Sequence, residues 1–163
     1  MTYRILKQVF QFLVLGWFLS QSAIAAETAP DFALPTNAGT LTLAELKGKV
    51  VYLDFWASWC PPCRNSFPWM NEMTHRYNRQ GLAVVAVNLD KDRELAARFL
   101  NEVPANFIVA YDQKGSVADD YHVPGMPSSF IIGRNGNIQS THIGFRNEDT
   151  PELEASLRTA LSH

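Results

Sequence analysis

Cysteine occurs only twice in the 163 residues, at positions 60 and 63. A four-ligand structural zinc site would lack half its ligands, and His75, His122 and His142 are scattered without ligand spacing. Read as a structural staple, a bridge between the two cysteines closes too small a loop to restrain the unfolded chain much. No cysteine follows the apolar stretch near the N-terminus, so a lipid anchor has no acceptor there. Charge is also scarce: 18% of residues, with a formal net charge of -2. Without a basic excess, nucleic acid and anionic membrane surfaces are poor partners. No apolar run approaches the roughly 20 residues of a membrane-spanning helix, so stable membrane insertion is not expected. No low-complexity segment is present, and neither a metal nor a cofactor is expected.

What remains suits one globular domain with a real core, since 47% of the residues are hydrophobic. The first 25 residues read as a cleaved signal peptide. Arg4 and Lys7 form a basic start, Val9 to Leu19 an apolar stretch broken only by Gln11, and Ala23-Ile24-Ala25 a small-residue cleavage site. An uncleaved membrane anchor is the second reading of the same segment. Removing it leaves 12 basic residues against 16 acidic ones, a charge of about -4. Export also places the cysteines in an oxidising compartment, where a dithiol stays reduced only if something reduces it.

The stretch from Phe55 to Arg64, Phe-Trp-Ala-Ser-Trp-Cys-Pro-Pro-Cys-Arg, holds both cysteines. Before it, Val50 to Leu53 have the composition of a strand buried on both faces. After it, Phe67, Met70, Met73, Thr74 and Tyr77 recur at helical spacing, with Pro61 and Pro62 tolerable only near the first turn. The cysteines therefore sit where a buried strand turns into a helix. Free N–H groups and the helix dipole favour negative charge there, so Cys60 should lose its proton more easily than an ordinary thiol. Cys63, further inside the helix, lies within reach of it. That asymmetry suits dithiol-disulfide exchange, with Cys60 attacking a substrate disulfide and Cys63 resolving the mixed disulfide.

The rest of the chain reads as alternating strands and helices. Residues 26–48 form an extended lead-in with a turn, followed near Leu41, Leu43 and Leu46 by one helical turn over a sheet edge. Residues 49–163 form the domain proper. Val50 to Phe55 and Leu82 to Leu89 are strands flanking a helix over Pro61 to Arg79, a parallel βαβ unit. Asp92 caps a helix running to Glu102, and Phe107 to Tyr111 is a short strand. Val117 to Tyr121 is one or two helical turns. Asn135-Gly136 between apolar runs predicts an antiparallel hairpin of Ser129 to Ile132 with Ile138 to Gly144. Thr150 caps a last helix whose buried stripe is Leu153, Leu157 and Leu161, with Pro151 in first position. The fold class is α/β: a central mixed sheet, parallel at its middle, flanked by helices.

A strand leading into Trp59-Cys60-x-x-Cys63 on a helix, then a proline just before a terminal hairpin and a last helix, resembles the thioredoxin superfamily. The wording of residues 55–64, with Phe67-Pro68 after it, and the added helix and strand within about 90–112 resemble its TlpA/ResA-like branch of exported thiol-disulfide oxidoreductases. The resemblance implies a thioredoxin-like fold with a helix-strand insertion. It implies that Pro127 is the family's cis-proline beside the sulfurs, with Met126 presenting its backbone to substrate. It matches Asp54 to the acid buried beneath the disulfide. Such a charge is costly to bury, so its pKa should be raised, which suits a proton shuttle for Cys63. Ala86 stands where thioredoxin commonly has a lysine near that acid, so the shift should be stronger here. The branch often carries an active-site glutamate after the second strand of the βαβ unit. This chain has Asp90-Lys91-Asp92 there, read as a solvated helix start, with Asp90 or Asp92 as the alternative reading, a substitute for that glutamate. Trp59 matches the tryptophan beside the sulfurs, whereas Trp56, Tyr52, Trp69 and Phe130 are assigned to packing.

Pro61 and Pro62 lack N–H groups, so a Cys60 thiolate keeps chiefly the N–H of Cys63, and a reducing couple is expected. The resemblance implies disulfide-containing envelope proteins such as apocytochrome c as substrates, and a membrane electron donor of the DsbD/CcdA type. Three rival readings stand beside this one, the least supported a non-catalytic interaction module, which the presence of both cysteines disfavours. Ala29-Pro30-Asp31-Phe32 resembles the opening of a peroxiredoxin, but Ala57 stands where that family needs threonine. A copper-binding chaperone on the same fold would space its cysteines by three residues and add a distal histidine.

Overall fold

The computed structural model describes residues 27–163; the signal peptide expected over 1–25 lies outside them. Seven strands, β1 (Ala33–Thr36), β2 (Gly39–Thr42), β3 (Val50–Trp56), β4 (Leu82–Asn88), β5 (Ile108–Tyr111), β6 (Ser128–Ile132) and β7 (Ile138–Ile143), form one mixed sheet in the order β2-β1-β5-β4-β3-β6-β7. β3, β4 and β5 run parallel, while β6 and β7 are antiparallel to their neighbours. Four helices pack on this sheet: α1 (Pro61–Tyr77), α2 (Arg93–Glu102), α3 (Ser116–Asp120) and α4 (Thr150–Leu161).

All seven residues of β3 are buried, as its unbroken apolar composition requires. Alternate side chains point to opposite faces. Val50, Tyr52 and Trp56 meet Phe67, Met70 and Met73 of α1, Phe99 of α2 and Leu157 of α4. Val51, Leu53 and Phe55 meet Val117 and Ala118 of α3, together with Phe32 and Leu46 from the N-terminal segment. Directly under the end of β3, the rings of Trp56, Phe67 and Phe99 stack with centroids 4.9, 4.7 and 5.0 Å apart. Such edge-on and tilted contacts between buried rings give β3, α1 and α2 one rigid joint.

The lead-in over 26–48 is more ordered than its sequence predicts. β1 and β2 form a hairpin, and β1 pairs with β5, so the segment extends the sheet. The turn is local chemistry: Thr36 Oγ1 accepts from Ala38 N and donates to Gly39 O, and Gly39 takes a positive φ of 131°. Thr42 and Glu45 then close a capping box over a short 3-10 turn, Leu43–Leu46, which buries Leu46. Further upstream, Thr28 bridges Asn137 in the turn between β6 and β7.

Two boundary expectations change. Thr150 is not the cap of α4 but its first residue; Asp149 occupies the cap position, and Thr150 Oγ1 donates to Asn147 O. Leu161 is only half-buried, and Ala160 joins Leu153 and Leu157 in the buried stripe. Asp92, by contrast, caps α2 as expected, accepting from Glu94 N at 2.9 Å. Asp92→Ala should cost about 1 kcal/mol of stability. Chemical denaturation checks this; Asp92 stands on the surface, so the substitution removes the cap and disturbs no packing.

Candidate active site

Parallel strands deliver their C-terminal ends to one edge of the sheet, where active groups gather in α/β folds. β3 ends at Trp56 and β4 at its register partner Asn88. The chain then turns over Ala57 to Cys60, closed by Cys60 N donating to Ala57 O at 3.2 Å, and enters α1. Cys60 is the N-cap residue of α1, and its Sγ accepts from the N–H of Cys63 at 3.3 Å. Pro61 and Pro62 fill the first helical positions, where no N–H is required. Cys60 and Cys63 are joined by a disulfide. Cys60 retains 4% exposure and Cys63 none.

Trp59 lies in the turn just before the couple and is 68% exposed, while Trp56, Tyr52, Trp69 and Phe130 are buried. The Met126–Pro127 peptide is cis. Met126 is half-buried against the cluster that contains both cysteines. Pro127 O accepts from Gly144 N at 2.7 Å, tying this loop to the end of β7.

Asp54 lies on the face of β3 that carries Tyr52 and Trp56, the face covered by α1. It is 1% exposed, and its Oδ2 has no hydrogen-bond partner among the described residues. Its register partners are Ala86 on β4 and Ser129 on β6, so no cation is offered by the adjacent strand positions. Burial alone holds its pKa well above the usual carboxylate range. Burial, and then the nearby Asp54, also push the Tyr52 hydroxyl up. Tyr52 therefore stays neutral at physiological pH.

Asp90 departs from expectation. It is not part of a solvated helix start; it is 2% exposed and bonded to the turn that carries Cys60. Asp92 is the surface N-cap already described, so the two acids have separate structural places. Sequence reasoning passed over Ser58 and Asn88, which Asp90 engages. The usable signal was positional: Asn88 and Asp90 follow the end of a strand parallel to β3, which puts them at the pole occupied by the cysteines.

Among the described residues, no group of three or more histidine, cysteine, aspartate or glutamate side chains is arranged to hold a metal ion, and no helix is long and apolar enough to cross a membrane.

Comparison with known proteins agrees with this geometry. A Redoxin family model matches residues 24–157. The thiol-disulfide oxidoreductase ResA of Bacillus subtilis is 34% identical over 129 residues, covering 78% of this chain and 72% of the relative. The chain belongs to the ResA-like thiol-disulfide oxidoreductases of the redoxin family. ResA of Oceanobacillus iheyensis is 36% identical over 118 residues, which is 69% of this chain but only 62% of that protein's length. A Chlorobium tepidum protein described as a candidate thiol:disulfide interchange protein DsbE has a crystal structure that superposes with a TM-score of 0.82 at 53% identity, covering 83% of this chain and 96% of that one. In this redoxin the couple sits where the central strand β3 gives way to α1, and the α/β thioredoxin-like architecture is the one expected.

Proposed function

We propose that this ResA-like redoxin is an exported reductase of protein disulfides in the cell envelope, with apocytochrome c as one candidate substrate. The observation that carries the reading is Cys60 at the N-cap of α1, its sulfur already accepting the N–H of Cys63. In the reduced state that donor and the helix start favour a thiolate. With Pro61 and Pro62 offering no further N–H groups, the stabilisation is modest and the couple is reducing.

The Cys60 thiolate attacks one sulfur of the substrate disulfide, forming a mixed disulfide and releasing the other substrate sulfur as a thiolate. Cys63 then gives up its proton and attacks Cys60 Sγ. The Cys60–Cys63 disulfide forms, the second substrate thiolate leaves, and the substrate has gained two electrons. Asp54 serves as proton acceptor and donor for Cys63, a role supported by its burial beneath α1 and by a pKa raised well above the carboxylate range. Exposed Trp59 and the Met126-Pro127 loop supply the surface on which an extended substrate segment lies, with Pro61 and Pro62 beside the attacking sulfur. A membrane electron donor of the DsbD/CcdA type restores the dithiol. The signal peptide over residues 1–25 accounts for periplasmic placement.

A Cys63→Ser variant tests this reading. It should keep the attacking thiol and lose the resolving one, and so accumulate mixed disulfides on Cys60 in the envelope. Non-reducing gels followed by mass spectrometry identify the captured proteins. A folded variant that captures none overturns the exchange mechanism.

A further inference from the structure

Ser58 is the second residue of the four-residue turn that delivers Cys60, and it is held from outside the turn. Its backbone N–H donates to Asp90 Oδ2 at 2.9 Å, and its hydroxyl donates to Asp90 Oδ1 at 3.0 Å. Asn88 completes the arrangement: its Nδ2 donates to Asp90 Oδ2 at 2.7 Å, and its Oδ1 accepts from Asp90 N at 3.1 Å. Asn88 is fully buried and ends β4 beside Trp56, and Leu89 N donates to Trp56 O at 2.9 Å. The carboxylate thus has both oxygens engaged and is sealed from solvent, as a buried polar group must be to avoid a large desolvation cost.

We propose that Asp90, braced by Asn88, is a positioning residue for the redox couple: by gripping Ser58 it fixes the Ala57–Cys60 turn, which seats the Cys60 sulfur on the Cys63 N–H and turns Trp59 outward. Asp90 touches neither sulfur through these bonds and transfers no proton. Its effect runs through the backbone. A turn released at Ser58 lets Cys60 leave the N-cap position, and a thiolate that leaves it loses both its N–H donor and the favourable field of the helix start.

The inference rests on the reading of Cys60 as the activated thiol, and the test separates the two. In a Cys63→Ser background, where Cys60 is the sole thiol, the rate of iodoacetamide alkylation is followed against pH. Asp90→Ala should raise the midpoint by about one pH unit, slowing alkylation about tenfold below it. Asp90→Asn keeps an oxygen for the Ser58 N–H and Asn88 Nδ2 and offers an NH2 group to the Ser58 hydroxyl, so it should return most of that shift. Ser58→Ala, which removes only the hydroxyl bond, should move the midpoint upward by less than Asp90→Ala.

A folded Asp90→Ala variant with the parent's midpoint overturns the proposal. An Asp90→Asn midpoint displaced as far as that of Asp90→Ala also overturns it, because the bonds that asparagine keeps to Ser58 would then not be what seats the sulfur. If Asp90→Ala does not fold, Ser58→Ala decides, and an unmoved midpoint there counts against the clamp. A parent midpoint at about 8.5, that of an ordinary thiol, would instead overturn the activated-thiol reading itself.

Discussion

Cys60→Ser should take disulfide reduction to the uncatalysed background at every pH. The two sulfurs of the couple are not equivalent. Cys60 keeps a small exposed surface at the helix start, while Cys63 is sealed inside α1. A bulky protein disulfide can therefore reach only the first. Serine at position 60 supplies neither a thiolate nor a sulfur able to form the mixed disulfide, and Cys63 cannot take over from its buried position. Insulin reduction with dithiothreitol as electron source measures this: the wild type should accelerate precipitation of the insulin B chain, and Cys60→Ser should trace the curve without protein. Half-maximal activity in the variant would move the chemistry to another group.

Asp54→Asn should make the protein more stable at neutral pH and slower as a reductase. The sign follows from burial. Unfolded, Asp54 ionises with a pKa of about 3.9. Folded, its pKa lies well above the usual range, so the folded state keeps a proton that the unfolded state has released. Stability is then fully present below the unfolded pKa and is lost as pH rises through the folded one, by about 1.4 kcal/mol for each pH unit in that window. Asparagine has no proton to lose, so the variant should match the wild type near pH 4 and exceed it increasingly above. Denaturant titrations across pH give the comparison, and parallel curves would show that Asp54 titrates as an ordinary carboxyl. On the proposed proton shuttle through Asp54, turnover should fall while attack by Cys60 persists, so that mixed disulfide accumulates in single-turnover experiments.

The legible parts of the molecule are those whose pattern is local. β3 and β4 are continuous β-branched and aromatic runs, and Asn135-Gly136 forms the expected turn, with Gly136 at a φ of 84°. The register that sets Ala86 beside Asp54 follows from pairing two strands of equal length in parallel. What escaped depends on contacts distant in sequence. Asp90-Lys91-Asp92 looks like a charged helix start, and for Asp92 it is one. Asp90 is buried only because the end of β4 lies against the turn after β3, and Ser58 gives no sign from 32 residues away that it donates there. The β1–β2 hairpin was missed because strands of four residues hold too few alternations to show a period. Its signal lay in Thr36 and Gly39, which close the turn between them.

The bridge between Thr28 and Asn137 fixes where the chain enters the domain. Asn137 lies in the turn at the end of the sheet where β3 begins, whereas Cys60 follows the end where β3 finishes. Seven strand residues at about 3.3 Å each separate the two poles by roughly 20 Å. Anything joined ahead of Glu27 is therefore attached behind the molecule, and a tether there would hold the couple facing away from whatever surface it is fixed to. Immobilisation or fusion through the N-terminus leaves the working face clear.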